Sequence, residues 1–392
     1  MVNRKMVGYR RSVRWGVLAL VVSLLGCVTG EIGSRSAPDG SVTLLDGGTG
    51  AGDAASRDGS VVADAPAPDG APPGEDAALG DGGGRDSGPV DPCASVTCGT
   101  NERCVSGTCR CVAGTMRVGG TCVAVDPGDP AARAAADVCA QWRAGHVENA
   151  SPAWTPGATM CDLGTLRAEA IDDTLRRITM FRWLVGLGPV TDDPGQNGQD
   201  QACAVMMNAN GAISHTPDAS WDCYTPEAAA GAGSSNLALG VGSPADAIDL
   251  YVSDRGVSSL GHRRWVLYFS LGRVGIGFAG NAQCLGVFDS SGSSSRTWVA
   301  WPNPGPTPRE ATTAVWSFHA TASLGGADVT VERASDSMMM PVTVSHPPDG
   351  YGASAVAFSP SGWSAVPGET YLVTITGFSG GPVSYPVSPQ GC

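Results

Sequence analysis

Six of the thirteen cysteines in this chain fall within thirty positions, at 93, 98, 104, 109, 111 and 122. A segment that short cannot bury enough apolar surface for a stable core, so it is expected to depend on disulfides. Six cysteines allow fifteen pairings, and spacing alone does not choose among them. Setting Cys27 aside leaves twelve cysteines, an even number that indicates a disulfide framework formed in an oxidising compartment.

The first 26 residues have the pattern of a secretory signal peptide. They carry five Lys or Arg and no acid, and residues 15–25 form an uncharged apolar run. That run is too short for a membrane-spanning helix, which needs about twenty residues. It ends in Leu-Leu-Gly before Cys27, which resembles the lipobox of bacterial lipoproteins. The resemblance implies lipidation of Cys27 and attachment to a membrane, the alternative being a buried cysteine in an N-terminal helix. Because Val28 supplies no acidic retention signal, we expect a cell-envelope protein of the outer membrane or cell surface.

Residues 27–92 are dominated by Gly, Ala, Asp, Pro and Ser, with almost no aromatic side chains. Too little apolar surface is present to offset the entropy of ordering, so this segment is predicted to be a disordered tether with an r.m.s. reach of roughly 45 Å. Removal of the signal peptide takes the formal net charge from −13 to −18, and residues 31–91 hold half of it. No basic stripe is present, which argues against a nucleic-acid partner.

The cysteine spacing within 93–124 resembles that of an EGF-like module. That resemblance implies that the first cysteine pairs with the third, the second with the fourth and the fifth with the sixth, giving Cys93–Cys104, Cys98–Cys109 and Cys111–Cys122. Such a module acts either as a protein-binding knob or as a rigid spacer.

Residues 131–289 begin with helical patterns. An Ala-rich stretch predicts a helix at 131–142, and apolar residues repeat every three or four positions through 165–185. Further helices are predicted at about 199–210 and 245–254. Ser243 fits the N-cap of the last of these, and Pro244 its first helical position.

Strand patterns follow. The alternation at 274–278 and the turn Gly280-Asn281 predict a hairpin. Residues 296–392 consist of short alternating runs separated by Gly, Pro and Asp, which predicts a β-sandwich of about seven strands. The fold class is therefore α+β. Position along the chain favours three more bridges: Cys139–Cys161, Cys203–Cys223 and Cys284–Cys392.

Four short polar islands interrupt the apolar stretches between 213 and 266. They are Ile-Ser-His-Thr-Pro at 213–217, Ser-Ser-Asn-Leu-Ala at 234–238, Tyr-Val-Ser-Asp at 251–254 and Gly-His-Arg-Arg-Trp at 261–265. Two of the five histidines lie here, and histidine is the side chain most readily tuned as ligand, acid or base near neutral pH. Two His, an Asp and an Asn in succession indicate a shared cavity.

These islands resemble the CAP superfamily, which includes cysteine-rich secretory proteins, wasp-venom antigens and plant pathogenesis-related proteins. The resemblance covers roughly residues 165–289 and implies an α-β-α sandwich with one central cleft. It implies that the cleft is lined by His215, Ser235, Asn236, Asp254 and His262. Ser235 occupies the position where the family has a second acid, so this set of residues is expected to bind a metal ion more weakly than two histidines with two carboxylates would.

Arg263 and Arg264 replace the family's residues after the second cleft histidine. Two guanidiniums there suit an anionic partner, unless they pair with local acids such as Asp249. We assign no catalytic residue and no cofactor. At most, weak binding of a divalent metal such as zinc by His215, Asp254 and His262 is expected.

Three functions remain open from the sequence. The first is a lipid-anchored, non-enzymatic binding protein whose cleft takes a lipid, an envelope glycan or a protein. The second is a metal-assisted or His-dependent hydrolase using the same cleft. The third is adhesion through the EGF-like and β-sandwich domains, with the CAP-like domain as a scaffold.

Overall fold

A computed structural model describes residues 43–45, 93–105, 107–111, 115–118, 121–124 and 126–392. The predicted signal peptide, Cys27 and nearly all of the predicted tether lie outside these residues. The helices are α1 Ala135–Gly145, α2 Ala168–Leu184, α3 Pro194–Asn210, α4 Pro226–Ser234, α5 Pro244–Ser253 and α6 Gly261–Val266. Two 3-10 helices lie at Pro130–Ala132 and Arg309–Thr313.

The strands of the first half of the chain are β1 Thr43–Leu45, β2 Glu102–Val105, β3 Thr108–Cys111, β4 Thr115–Val118, β5 Thr121–Ala124, β6 Trp154–Thr155, β7 Thr165–Leu166, β8 Thr191–Asp192, β9 Ser235–Leu239, β10 Arg273–Ala279 and β11 Ala282–Gly286. Those of the second half are β12 Trp298–Trp301, β13 Gly305–Pro308, β14 Trp316–Ala320, β15 Asp328–Arg333, β16 Met338–Met340, β17 Val342–Ser345, β18 Ser354–Pro360, β19 Tyr371–Thr376 and β20 Val383–Gln390.

The helix ends follow from their capping residues. The Ser243 hydroxyl accepts a hydrogen bond from the Asp246 amide at 3.0 Å, so the predicted N-cap of α5 is confirmed. Helix α3 starts five residues before the predicted position, because Asp193 caps the amides that follow it and Pro194 fits the first turn. The Ala-rich helix lies at 135–145 rather than 131–142, since Pro130 first forms a separate 3-10 turn.

A five-stranded sheet in the order β1-β9-β11-β10-β8 lies between two layers of helices. Its apolar side chains pack on one face against α2 and α5, and on the other against α3 and α4. The predicted hairpin is confirmed, with β10 and β11 antiparallel about the Gly280-Asn281 turn. Thr43–Leu45 pair with the outer edge of β9, so the expectation of a disordered tether does not hold for these three residues. A β-competent Thr-Leu-Leu run satisfies the hydrogen-bonding groups of that edge.

Glycine decides how closely α3 approaches the sheet. In β10, Val274, Ile276 and Phe278 point to α2 and α5, whereas Gly275 and Gly277 face α3. A methyl group at either glycine would overlap Asp200, so only a bare backbone allows this contact.

Two further sheets form the C-terminal part, in the orders β12-β14-β18-β17 and β13-β20-β19-β15-β16. They enclose a core of aromatic and branched side chains contributed by both sheets. The nine strands exceed the predicted seven, because β13 and β16 are short edge strands without a clear alternating pattern. This part is continuous with the helical part, since Val299 and Trp301 belong to the core of the latter.

Three of the six expected disulfides differ in the structure. The pairs Cys93–Cys104, Cys98–Cys109 and Cys111–Cys122 are present. The expected Cys139–Cys161, Cys203–Cys223 and Cys284–Cys392 are wrong: the structure has Cys139–Cys392, Cys161–Cys223 and Cys203–Cys284.

The reason is the packing of helices on strands, which proximity along the chain does not show. Cys203 on α3 faces Cys284 on β11, and both are fully buried. Helix α1 lies beside the C-terminus, where Arg143 donates to the Cys392 carbonyl at 3.0 Å.

Peptide mapping without reduction should recover the bridges Cys139–Cys392, Cys161–Cys223 and Cys203–Cys284. Replacing Cys139 and Cys392 together by Ser should lower the free energy of unfolding. The bridge closes a loop of 253 residues, and the chain-entropy model assigns such a loop an upper value of roughly 5 kcal/mol. Recovery of a Cys284–Cys392 peptide would contradict this arrangement.

Candidate functional site

A buried carboxylate–imidazole pair lies between α5 and α6. Asp254 caps the end of α5 in a left-handed conformation with φ 49°, and α6 begins at Gly261. His262 Nδ1 lies 2.7 Å from Asp254 Oδ1, while Oδ2 accepts the Arg263 amide at 3.1 Å. With the carboxylate as acceptor, Nδ1 carries a proton. Both side chains are 0% exposed.

Two neighbours hold this imidazole in place. The Tyr251 ring stacks on it at 5.2 Å between centroids, and the Tyr251 hydroxyl donates to the Asn236 carbonyl at 3.0 Å. Asn236 Nδ2 in turn donates to the His262 carbonyl at 3.1 Å. His262 Nε2 and Asn236 Oδ1 have no hydrogen-bond partner among the described residues. The island residues at 236, 251, 254 and 262 thus converge on one buried locus.

A second polar pair lies on the opposite side of β9. The Ser235 hydroxyl donates to Asp200 Oδ1 at 2.7 Å. Burial raises the pKa of Asp200 to about 7, against the lowering effect of hydrogen bonds from Ser235 and the Gly286 amide. Near neutral pH this carboxyl therefore exists in both protonation states.

Asp200 borders a cavity of about 190 Å³, here called the Asp200 cavity. Its lining combines two amides, a carboxyl, a hydroxyl and one aromatic ring, from Gln196, Gln199, Asp200, Ser234, Gly286 and Phe288. Phe288 packs on Trp265 of α6 with ring centroids 4.6 Å apart. The cavity is a polar cleft with an aromatic margin.

The helices, the sheet and the buried pair all lie within a segment that matches a known family. Residues 175–289 match the sequence model of the CAP family, described as the cysteine-rich secretory protein family. This segment is a CAP domain. No curated protein and no solved structure matches the chain significantly.

Asp200 is the residue of the CAP-domain site that the sequence reasoning missed. It shares a face of α3 with Cys203, Ala204 and Met207. These residues follow it by three, four and seven positions and are fully buried. An acid on the buried face of a helix needs a polar partner, so the position of Asp200 in the helical pattern already indicated a buried polar contact.

The CAP domain does not bring His215, Asp254 and His262 together as a metal site. Among the described residues, no group of three or more His, Cys, Asp or Glu could hold a metal ion. His215 Nδ1 lies 2.8 Å from the Ala232 carbonyl oxygen at the end of α4, whereas His262 is directed to Asp254. The expected metal set is therefore wrong.

Arg263 and Arg264 do not line the cleft, which corrects the expectation of an anion site. Both are fully buried against the C-terminal sheets. Arg263 donates to the carbonyls of Val252, Ser253 and Val315 and to the Ser317 hydroxyl. Arg264 donates to the carbonyls of Ser259, Pro348 and Ala353. Asp249, the local acid considered for them, instead pairs with Arg177.

No helix in the described part of the chain is both long and apolar enough to cross a membrane.

Asp200 should make the stability of the CAP domain depend on pH. Between the ordinary pKa of 3.8 and about 7 the folded protein binds more protons at this site than the unfolded chain. The free energy of unfolding therefore falls as pH rises through this window, by a total on the order of 4 kcal/mol. Asp200→Asn should remove this contribution.

Denaturation curves of wild type and Asp200→Asn between pH 4.5 and 8 test this dependence. Subtracting the two series cancels other groups, such as His319, whose pKa is lowered by burial and by two arginines. The control is Asp218→Asn, because the pKa of Asp218 is lowered by bonds from Ser220 and it titrates below this range. A constant difference between wild type and Asp200→Asn would contradict the assignment.

Arg263 should be among the most costly positions to truncate. Arg263→Ala leaves three carbonyls and a hydroxyl without their donor at a buried contact, with an expected loss on the order of 3–5 kcal/mol in unfolding free energy. Arg255→Ala is the matched control: Arg255 joins Thr313 at 2.9 Å across the same boundary but is exposed, so a much smaller loss is expected. Equal losses, measured by chemical denaturation, would refute the role of burial.

Proposed function

We propose that this protein is a non-enzymatic binding protein of the cell envelope, and that the Asp200 cavity takes a segment of an envelope glycan. The observation that carries the proposal is the lining of that cavity. Amide, carboxyl and hydroxyl groups match the donors and acceptors of sugar hydroxyls, and the exposed ring of Phe288 offers a flat face to a sugar ring.

The same lining favours a glycan over the other ligands considered. A lipid chain would need an apolar tunnel, whereas this cleft is lined mainly by polar side chains. A protein partner would need a broad surface, and a cavity of about 190 Å³ admits one small group.

The Asp254–His262 pair is the observation that favours a hydrolase as the second candidate. An imidazole oriented by a carboxylate, with Nε2 unpartnered among the described residues, resembles the base of a catalytic triad. Two facts rank it second. His262 is 0% exposed, and the hydroxyl of Ser235 donates to Asp200 on the other face of β9 and not to His262. The pair better explains how α5 and α6 are locked together.

Binding of glycan should depend on the amides at the cavity rim. Gln199→Ala is expected to weaken binding of soluble muropeptides and of isolated peptidoglycan sacculi by about ten-fold, as loss of a hydrogen bond at a desolvated site can cost about 1.4 kcal/mol. Gln141→Ala on α1 is the control, a half-exposed helix glutamine outside the cavity. Calorimetry and sedimentation with sacculi provide the measurements.

Other outcomes would redirect the proposal. Release of soluble fragments from sacculi, abolished by His262→Gln, would put the hydrolase first. Sacculus binding unaffected by Gln199→Ala but lost on removal of residues 93–124 would favour adhesion through the EGF-like module.

The anchor is proposed from the sequence around Cys27. Acyl chains at about 0.8 kcal/mol per buried methylene would hold the protein on the membrane, with the tether spacing the EGF-like module and the CAP domain from it. Cys27→Ala should release the protein into the soluble fraction or block its maturation. Unchanged membrane fractionation of that variant would contradict lipidation.

A further inference from the structure

A second cavity, of about 170 Å³, lies outside the CAP cleft, where α1, α2 and α5 meet the C-terminal sheets. We call it the aromatic cavity. Four rings and two acids in its lining matter here: Trp142, His146, Phe181, Trp301, Asp249 and Glu310. They come from five separate elements, so only the packing of the helical part against the C-terminal part creates this site.

The four rings are mutually inclined and form a cage. Trp142 and His146 have centroids 4.2 Å apart at an interplanar angle of 52°. Phe181 meets Trp142 edge-on at 5.8 Å, and meets Trp301 in the same manner at 5.5 Å. Aromatic rings grouped around one cavity attract a cation through their negative π-faces, which is how proteins bind quaternary ammonium groups.

Charge in the lining points to the same class of ligand. Glu310 is exposed, and the side chain of Asp249 is 36% exposed. Arg177 is the cation beside them, and it is held by both Asp249 and Glu148. His146 Nε2 lies 3.3 Å from Asp249 Oδ1. The lining itself holds two carboxylates, those of Asp249 and Glu310, and no guanidinium.

Trp301 supplies a polar group that the fold leaves unused. The indole is 3% exposed, and its Nε1 has no hydrogen-bond partner among the described residues. A buried indole N–H normally finds an acceptor, so an oxygen on an occupant of the cavity would complete it.

We propose that the aromatic cavity binds a small organic cation with a quaternary ammonium group and an adjacent oxygen, as in choline. The ammonium contacts the faces of the rings, Asp249 and Glu310 complement its charge, and the oxygen accepts from Trp301. This site is separate from the Asp200 cavity and does not depend on the function proposed there.

Calorimetry of the full chain with choline tests the proposal against 3,3-dimethylbutan-1-ol, a neutral molecule of the same shape. Choline is expected to bind about ten-fold more tightly or better, because only the cation gains the electrostatic attraction of the ring faces. Equal affinity for choline and the neutral molecule would show that the site recognises shape and not charge, and would overturn the proposal. Absence of detectable choline binding at millimolar concentration would overturn it as well.

Two variants assign the binding to the cavity. Trp142→Leu should abolish choline binding, and circular dichroism and the thermal midpoint would establish that it folds. Glu310→Gln, at an exposed position, should weaken choline about three-fold without affecting stability. The matched control is Glu227→Gln on α4, also exposed but remote from the cavity. An equal loss in Glu227→Gln would show a general charge effect and refute the site.

Glycerophosphocholine distinguishes the two sources of this chemistry. Affinity for it equal to or above that for choline, and sensitive to Trp142→Leu, supports a lipid headgroup as the ligand. Preference for choline supports a free cation, because Asp249 and Glu310 disfavour the added phosphate.

Discussion

Guanidinium groups buried among backbone carbonyls hold this molecule together. Arg182 on α2 donates to the carbonyls of Gly188, Val266, Tyr268 and Leu271, and thereby ties α2 to the segment after α6. Arg263 and Arg264 make the same kind of contact to the C-terminal sheets. Burial lowers the pKa of Arg182 to about 9 and that of Arg263 to about 10, yet both stay charged near neutral pH. A buried guanidinium is tolerated only when acceptors surround it, so each arginine fixes the loops whose carbonyls it contacts.

The buried arginines also help to place the Asp254–His262 pair and the Asp200–Ser235 pair in different environments. Asp254 and His262 are fully buried, and Arg263, the residue after His262, is anchored against the C-terminal sheets. Asp200 lies on the other face of the sheet, where Gly275 and Gly286 leave room for its carboxyl beside a cleft. Burial and the charge of Asp200 raise the pKa of Tyr251, so its hydroxyl stays protonated and keeps its bond to the Asn236 carbonyl.

The sequence predicted the local features of the CAP domain and much of its site. The N-cap at Ser243, the hairpin at Gly280-Asn281 and the convergence of Asn236, Asp254 and His262 all follow from short-range patterns or from the resemblance. Arg263 and Arg264 were misplaced because charged residues beside a cleft histidine are ordinarily solvent-exposed. Several of their acceptors, such as the carbonyls of Val315 and Ala353, lie more than fifty residues away and are backbone atoms that any sequence would offer.

The disulfides show which pairings could be predicted from the sequence and which could not. Within residues 93–122 the order and spacing of six cysteines were sufficient for the pairing only through the family resemblance, which selects one of the fifteen possible pairings. For the other six, proximity along the chain gave the wrong partners. Cys203 meets Cys284 only because α3 packs on a glycine-lined strand, and Cys139 meets Cys392 only because α1 lies beside the chain end. The sequence determined which residues are polar, capped or paired locally; packing between distant elements alone decided which long-range bridges form, which charges are buried and where the two cavities open.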